Sequence, residues 1–93
     1  MSRTAPRVHV DQATIERLKE LQLALDAELT VELHLRDGTT RVGTLPDRPT
    51  VQQFLDPQGN EGTNGQLRID TGDAGIHIVW LDEVERFVRL GSC

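Results

Sequence analysis

Around Glu28 to Thr30 the spacing of apolar residues changes once, from three and four to two. That change dictates a helix followed only by strands. Upstream, Ile15, Leu18, Leu21, Leu25 and Leu29 fall on one stripe, widened by Leu23 and Ala24, while Glu16, Lys19, Glu20 and Asp26 turn to water. Asp11 stands where a helix N-cap is wanted, so the spacing predicts a helix over about 11–27. No Gly or Pro stops it, and Asp26 and Glu28 oppose the dipole at its end, so the helix must end at the change of period.

Downstream, Val31, Leu33 and Leu35 alternate with Glu32, His34 and Arg36, the pattern of a strand with one dry face and one wet face. Asp37-Gly38 signals a tight hairpin, and Thr40 to Leu45 returns, with Gly43 marking a bulge or sharp bend. Pro46 to Pro49 interrupts before a third strand, Thr50 to Leu55. The stretch 56–65 (DPQGNEGTNG) holds three glycines, a proline and two asparagines, and reads as a loop and the most mobile interior segment. Gln66 to Asp70 is a short strand, Thr71 to Gly75 a turn and Gly75 to Leu81 a strong β run. Leu81 to Val84 forms one helical turn, and Glu85 to Leu90 a last strand. Residues 1–10 read as a loosely held lead-in and 91–93 as a tail, around a single domain over 11–90 with its strands over about 29–90. A chain of 93 residues buries roughly 60–65% of its surface and supports one core. The expected fold is mainly β: an amphipathic helix on a five- to six-stranded, strongly bent antiparallel small barrel. Its core is of Leu, Val and Ile, with Trp80 or its neighbours.

Composition narrows the function. The net charge is −5 and nine of the ten cations are arginine, Lys19 being the exception, which argues against a generic coat for nucleic acid. The lone cysteine, Cys93, allows no intrachain disulfide. No apolar run suits a signal peptide or a membrane span, so a reducing cytosol is expected. His9, His34 and His77 have no zinc spacing with a cysteine or with one another. The twelve residues from Asp56 fail as a calcium loop, with Glu61 at the sixth position and Leu67 at the twelfth. Gly59, Gly62 and Gly65 do not make a phosphate-cradling GxGxxG. Asp82, Glu83 and Glu85 beside Arg86 and Arg89 read as a solvated face, and Cys93 lacks a base fixed beside it. No catalytic residue, cofactor or metal is therefore expected. Arg36, Arg41, Arg48 and Arg68 fall on wet faces or loops, interleaved with Glu32, Asp37, Asp47, Asp56 and Asp70 in the manner of a solubilising surface.

The order of elements, the stretch VELHLRDGTTRVGTL from Val31 to Leu45 and the ending IHIVWLDEVERFVRL from Ile76 to Leu90 resemble an Sm-like barrel, the family of Hfq and the archaeal and eukaryotic Sm proteins. The chain also resembles an uncharacterised proteobacterial family with this barrel and a lengthened middle loop. Two places depart from the RNA-binding members. PDRPT offers Asp47 but no Asn for a base pocket, and Leu81-Asp82-Glu83 is acidic where an Arg-Gly or Lys-His pair is usual. The resemblance implies weak binding of single-stranded RNA, with Arg36, Arg41 and Arg48 on phosphates and His34 and Trp80 stacking on bases. The acidic balance and the missing pocket residues favour a protein-interaction or self-assembly module instead. Its edge would carry Ile76, Ile78 and Val79 of one chain beside Val84 and Phe87 of the next.

Overall fold

A computed structural model describes residues 4–73 and 75–92. The Asp11 carboxylate accepts from the Thr14 backbone N–H at 3.0 Å and caps α1, Gln12–Ala24. The helix ends three residues short of the sequence expectation, and Leu23 turns out to solvent instead of widening the buried stripe. Glu28, at φ 69°, makes the turn into the sheet, its N–H donating to the Leu45 carbonyl. Six strands follow: β1 Leu29–Leu35, β2 Thr40–Thr44, β3 Thr50–Leu55, β4 Glu61–Asp70, β5 Ile76–Trp80 and β6 Val84–Ser92. A single 3-10 turn, Leu81–Glu83, lies between the last two. All ladders between them are antiparallel, in the order β3-β4-β2-β1-β6, with β5 paired to β4.

Long β4 bends this sheet into a half-barrel. Its first half pairs with β3, from Leu55↔Glu61 to Thr50↔Gln66, and its second half pairs with β5, from Gln66↔Trp80 to Asp70↔Ile76. β2 reaches it at one point, Thr44↔Asp70, and Gly43 is the reason it can. A Cβ on Gly43 would stand 2.3 Å from the Asp70 carbonyl oxygen, inside any allowed contact. The concave face collects Leu33, Leu45, Leu67, Ile69 and Leu81, and Leu18, Leu21 and Leu25 of α1 close over it. The alternating burial of β1 is the dry face read from the sequence.

The tail expected from residue 91 is strand as far as Ser92, because Gly91 and Ser92 pair with Thr30 and Leu29. Two further expectations are overturned. Only residues 56–60 form a loop, closed by Asp56, whose carboxylate accepts from the Gln58 and Asn60 backbone N–H groups. Residues 61–65 are strand, and Gly62 to Gly65 are buried. Their glycines serve close packing: a Cβ on Gly62 would meet Val8 at 2.9 Å, and one on Gly65 would meet the Thr50 carbonyl oxygen at 2.7 Å and Leu81 at 2.8 Å. A Gly-rich composition therefore marks a flat strand with chain lying on both of its faces.

The lead-in, in turn, is docked. His9 and Thr63 exchange two backbone hydrogen bonds, of 2.9 and 2.8 Å, so Thr63 presents its backbone polar groups to His9 and away from β3. At the other end the Ala5 N–H donates to the Leu55 carbonyl at 2.9 Å, on the outer edge of β3. Residues 4–9 thus form a strap from the outer edge of β4 to the outer edge of β3. By register, Gly62, Asn64, Phe54 and Trp80 share the face the strap crosses, opposite the main core. Ala5 and Phe54 are buried yet lie outside the main core, and Trp80 meets Phe54 edge-on, with centroids 5.3 Å apart. Trp80 belongs to this outer layer.

Gly43→Ala is expected to lower stability by about 1–3 kcal/mol, because β2 must be pushed off β4 to admit a methyl group. Urea unfolding, with Glu20→Ala on the exposed face of α1 as the control, measures it. A midpoint no lower than the control's would refute the close-approach argument.

Candidate interaction surface

The five residues nominated for RNA do not converge. Arg41 faces Leu33 across the ladder and so shares its inward side, and its Nε is buried without a hydrogen-bond partner among the described residues. Neighbouring His34 points to the opposite side, where it bonds Glu32 at 2.7 Å. Arg48 is spent on the helix end: its Nη1 donates to the Gln22 and Leu23 carbonyls at 2.9 and 3.0 Å, and its Nη2 pairs with Asp26. Arg36 donates from Nε to the Asp82 carbonyl at 2.9 Å, and Trp80 is half-buried against Phe54.

Other arginines are engaged in the same way. Arg89 donates to the Ala24 carbonyl at 3.0 Å, and Arg17 to the Val84 and Glu85 carbonyls at 2.7 and 2.8 Å, while Arg68 pairs with Asp47. With Arg48, Arg89 satisfies the bare carbonyls at the helix C-terminus, which solves the missing stop signal. The arginines read from the sequence as a solubilising surface serve in large part as internal braces.

The edge nominated for self-association divides into two groups. Ile76 and Ile78 are exposed at 48% and 65%. Val79 and Val84 are buried at 5% and 0%, and Phe87 packs against the main core, because alternation turns these three inward. They shape the edge from behind and cannot form its surface. The exposed apolar residues at β6 are Val88 and Leu90, at 38% and 52%. β5 pairs on one side with β4, and β6 on one side with β1. The other edge of each has no strand partner among the described residues.

A third grouping was missed in the sequence. Arg7 reaches Asp82 from Nε and Nη2 at 2.9 and 3.1 Å and Glu83 at 3.0 Å, while His9 Nε2 lies 2.9 Å from Asp82. The Arg7 carbonyl accepts from Asn64 Nδ2 at 2.8 Å, and Asn64 is fully buried. Burial pushes the Asp82 carboxyl up, but the bonds from Arg7 and His9 outweigh it and hold it below the ordinary carboxylate value. The same pairing, chiefly the Asp82 bond, raises Arg7. Alternation of Arg7 and His9 with Val8 and Val10 was the one local sign of an extended segment, and nothing near it in sequence names Asp82. Among the described residues no three His, Cys, Asp or Glu are grouped to hold a metal, and no helix is long and apolar enough to cross a membrane. Cys93 lies outside the described residues.

A helix on six strongly bent antiparallel strands, with a 3-10 turn before the last, defines an Sm-like fold. It is matched by the crystal structure of XC5848 from Xanthomonas campestris, described as a novel variant of the Sm-like motif. The TM-score is 0.88 at 39% identity, over 95% of this chain and 97% of that one. The chain belongs to the family of the domain of unknown function DUF3247, whose model matches residues 2–90. No curated protein matches it significantly.

Asp82→Asn is expected to destabilise the fold by about 1–2 kcal/mol at neutral pH, since its side chain is 6% exposed and Arg7 loses a charged acceptor. A carboxylate with a depressed folded-state pKa contributes stability above its unfolded value of about 3.9 and loses it as pH falls through the folded value. The gap between wild type and variant should therefore be full at pH 7 and shrink below about pH 4. Thermal melts across that range check it, and a gap constant with pH would refute it. Arg48→Ala should cost about 1–2 kcal/mol by baring helix carbonyls, read in the same melts.

Proposed function

We propose that this chain is a non-enzymatic self-assembly module, in which β5 of one copy adds to β6 of the next by main-chain hydrogen bonds. The observation that carries the reading is the pair of open strand edges with exposed apolar side chains beside them, Ile76 and Ile78 at one and Val88 and Leu90 at the other. By register Ile76 and Ile78 lie on the same side of the sheet as exposed Asp70 and Arg68, and Val88 on the same side as Glu32, which is the outer side of β1. Joining the edges would continue the sheet and bring the two apolar pairs together on its outer surface.

Single-stranded RNA binding has less support. Arg36 and Arg48 hold backbone carbonyls, His34 and Arg41 face opposite sides, and Trp80 offers only part of its ring. A reducing cytosol suits a module with a lone cysteine.

The test is mass in dilute solution, by light scattering on a sizing column with reductant present. Wild type is expected to be oligomeric, and Ile78→Lys to shift it to monomer with an unchanged circular dichroism spectrum, because Ile78 is 65% exposed. Val79→Lys, by contrast, should unfold the subunit. A wild type that is monomeric at all concentrations would overturn the proposal, and so would an Ile78→Lys variant that keeps the native mass. Titration with labelled oligo-uridine at low salt tests the RNA reading separately.

A further inference from the structure

The strap is held almost wholly by bonds that would look the same if it came from another molecule. Reciprocal backbone bonds join His9 to Thr63, one backbone bond joins Ala5 to Leu55, and Asn64 holds the Arg7 carbonyl. These are the sequence-independent contacts by which a sheet edge takes up an extended segment. Pro6, at the crossing between the two edges, has no N–H to leave unsatisfied. Sequence is read at three places. Ala5 is 5% exposed, a slot for a small side chain, Arg7 forks onto Asp82 and Glu83, and His9 Nε2 lies 2.9 Å from Asp82. Gly62 keeps the seat flat where Val8 crosses it. The junction to the helix is short: Val10 is 78% exposed, and Asp11, which caps α1, is extended at φ −78° and ψ 138°.

We propose that this seat on β3, β4 and the 3-10 turn is a recognition groove for an extended segment of the pattern small-Pro-Arg-Val-His, and that its partner in trans is the strap of a second copy of this chain. The complementarity is electrostatic as well as steric, since the acidic pair Asp82 and Glu83 faces the one arginine of the segment. In the intact subunit the strap occupies its own seat, because tethering gives it a high effective concentration. Loosening its arginine latch frees the seat for exchange, the low-cost route by which identical elements pass between copies. This association uses edges different from the β5 and β6 edges of the preceding proposal and stands whether or not that one does.

The experiment uses the full chain carrying Arg7→Ala and a fluorescent peptide of residues 4–10, TAPRVHV. Anisotropy should show saturable binding to the variant, and a peptide with alanine in place of its arginine should bind about tenfold more weakly. Absence of saturable binding to a variant that circular dichroism shows to be folded would overturn the proposal, as would equal binding of the two peptides. Should Arg7→Ala fail to fold, Arg7→Lys, which lacks the fork, loosens the same latch without touching the seat and takes its place. For the second copy as the source, both chains carry Ile78→Lys to silence the other edges. Mixing the Arg7→Ala chain, whose seat is native, with a chain of native strap whose own seat carries Glu83→Gln should then give a dimer mass by light scattering. Persistent monomers would overturn the pairing in trans.

Discussion

A sheet this small can curl into a half-barrel only if its backbone comes closer to neighbouring chain than a side chain permits. Three glycines meet that requirement. Gly43 lets β2 touch β4 at Asp70, Gly62 lets the strap cross β4, and Gly65 lets the 3-10 turn and the start of β3 press on it from the core side. The two ends of β4 are thereby brought against different partners, β3 first and β5 after. The concave core, the seat of the strap and the two open edges all follow from that bend.

Arginine supplies the second layer of order. Apolar burial draws α1 onto the sheet, but it leaves carbonyls bare at the end of the helix and where strands part. Arg17, Arg36, Arg48 and Arg89 each reach across to such carbonyls from distant parts of the chain. A planar fork with several donors can satisfy two acceptors at once, which a lysine does less well; this fits a chain with nine arginines and one lysine. It also explains how an Sm-like fold can carry many cations and yet present few of them to a phosphate backbone. The DUF3247 chain has an Sm-like fold, and its charges are turned to bracing and to the latch on Asp82.

The regular part of the fold was legible in the residues. Periods of 3.6 and then 2 located α1 and β1, Asp11 marked the start of the helix, and Asp37-Gly38 marked the hairpin, because each of these depends on neighbours within a few positions. Residues 61–65 were misread because glycine and asparagine usually mean a turn. Their real role depends on what lies above and below them, Val8 and Leu81, far away in the chain. The same reason divided the nominated self-association edge: Ile76 and Ile78 are exposed, but alternation had to be anchored to the core before Val79, Val84 and Phe87 were seen to face inward.

What the sequence determined by itself was the kind of body: one helix and short bent strands around a single aliphatic core, in a chain of acidic balance. Such features arise from local spacing and composition, which a linear reading holds in full. Tertiary structure alone decided which arginine serves which carbonyl, that residues 4–9 lie across the β3–β4 ribbon, and which strand edges stay open. These are pairings between groups up to 76 residues apart, as between Arg7 and Glu83, and no local propensity encodes a partner at that distance. They exist because closing the half-barrel brings the unsatisfied polar groups of distant segments together, where each is most cheaply satisfied by the other.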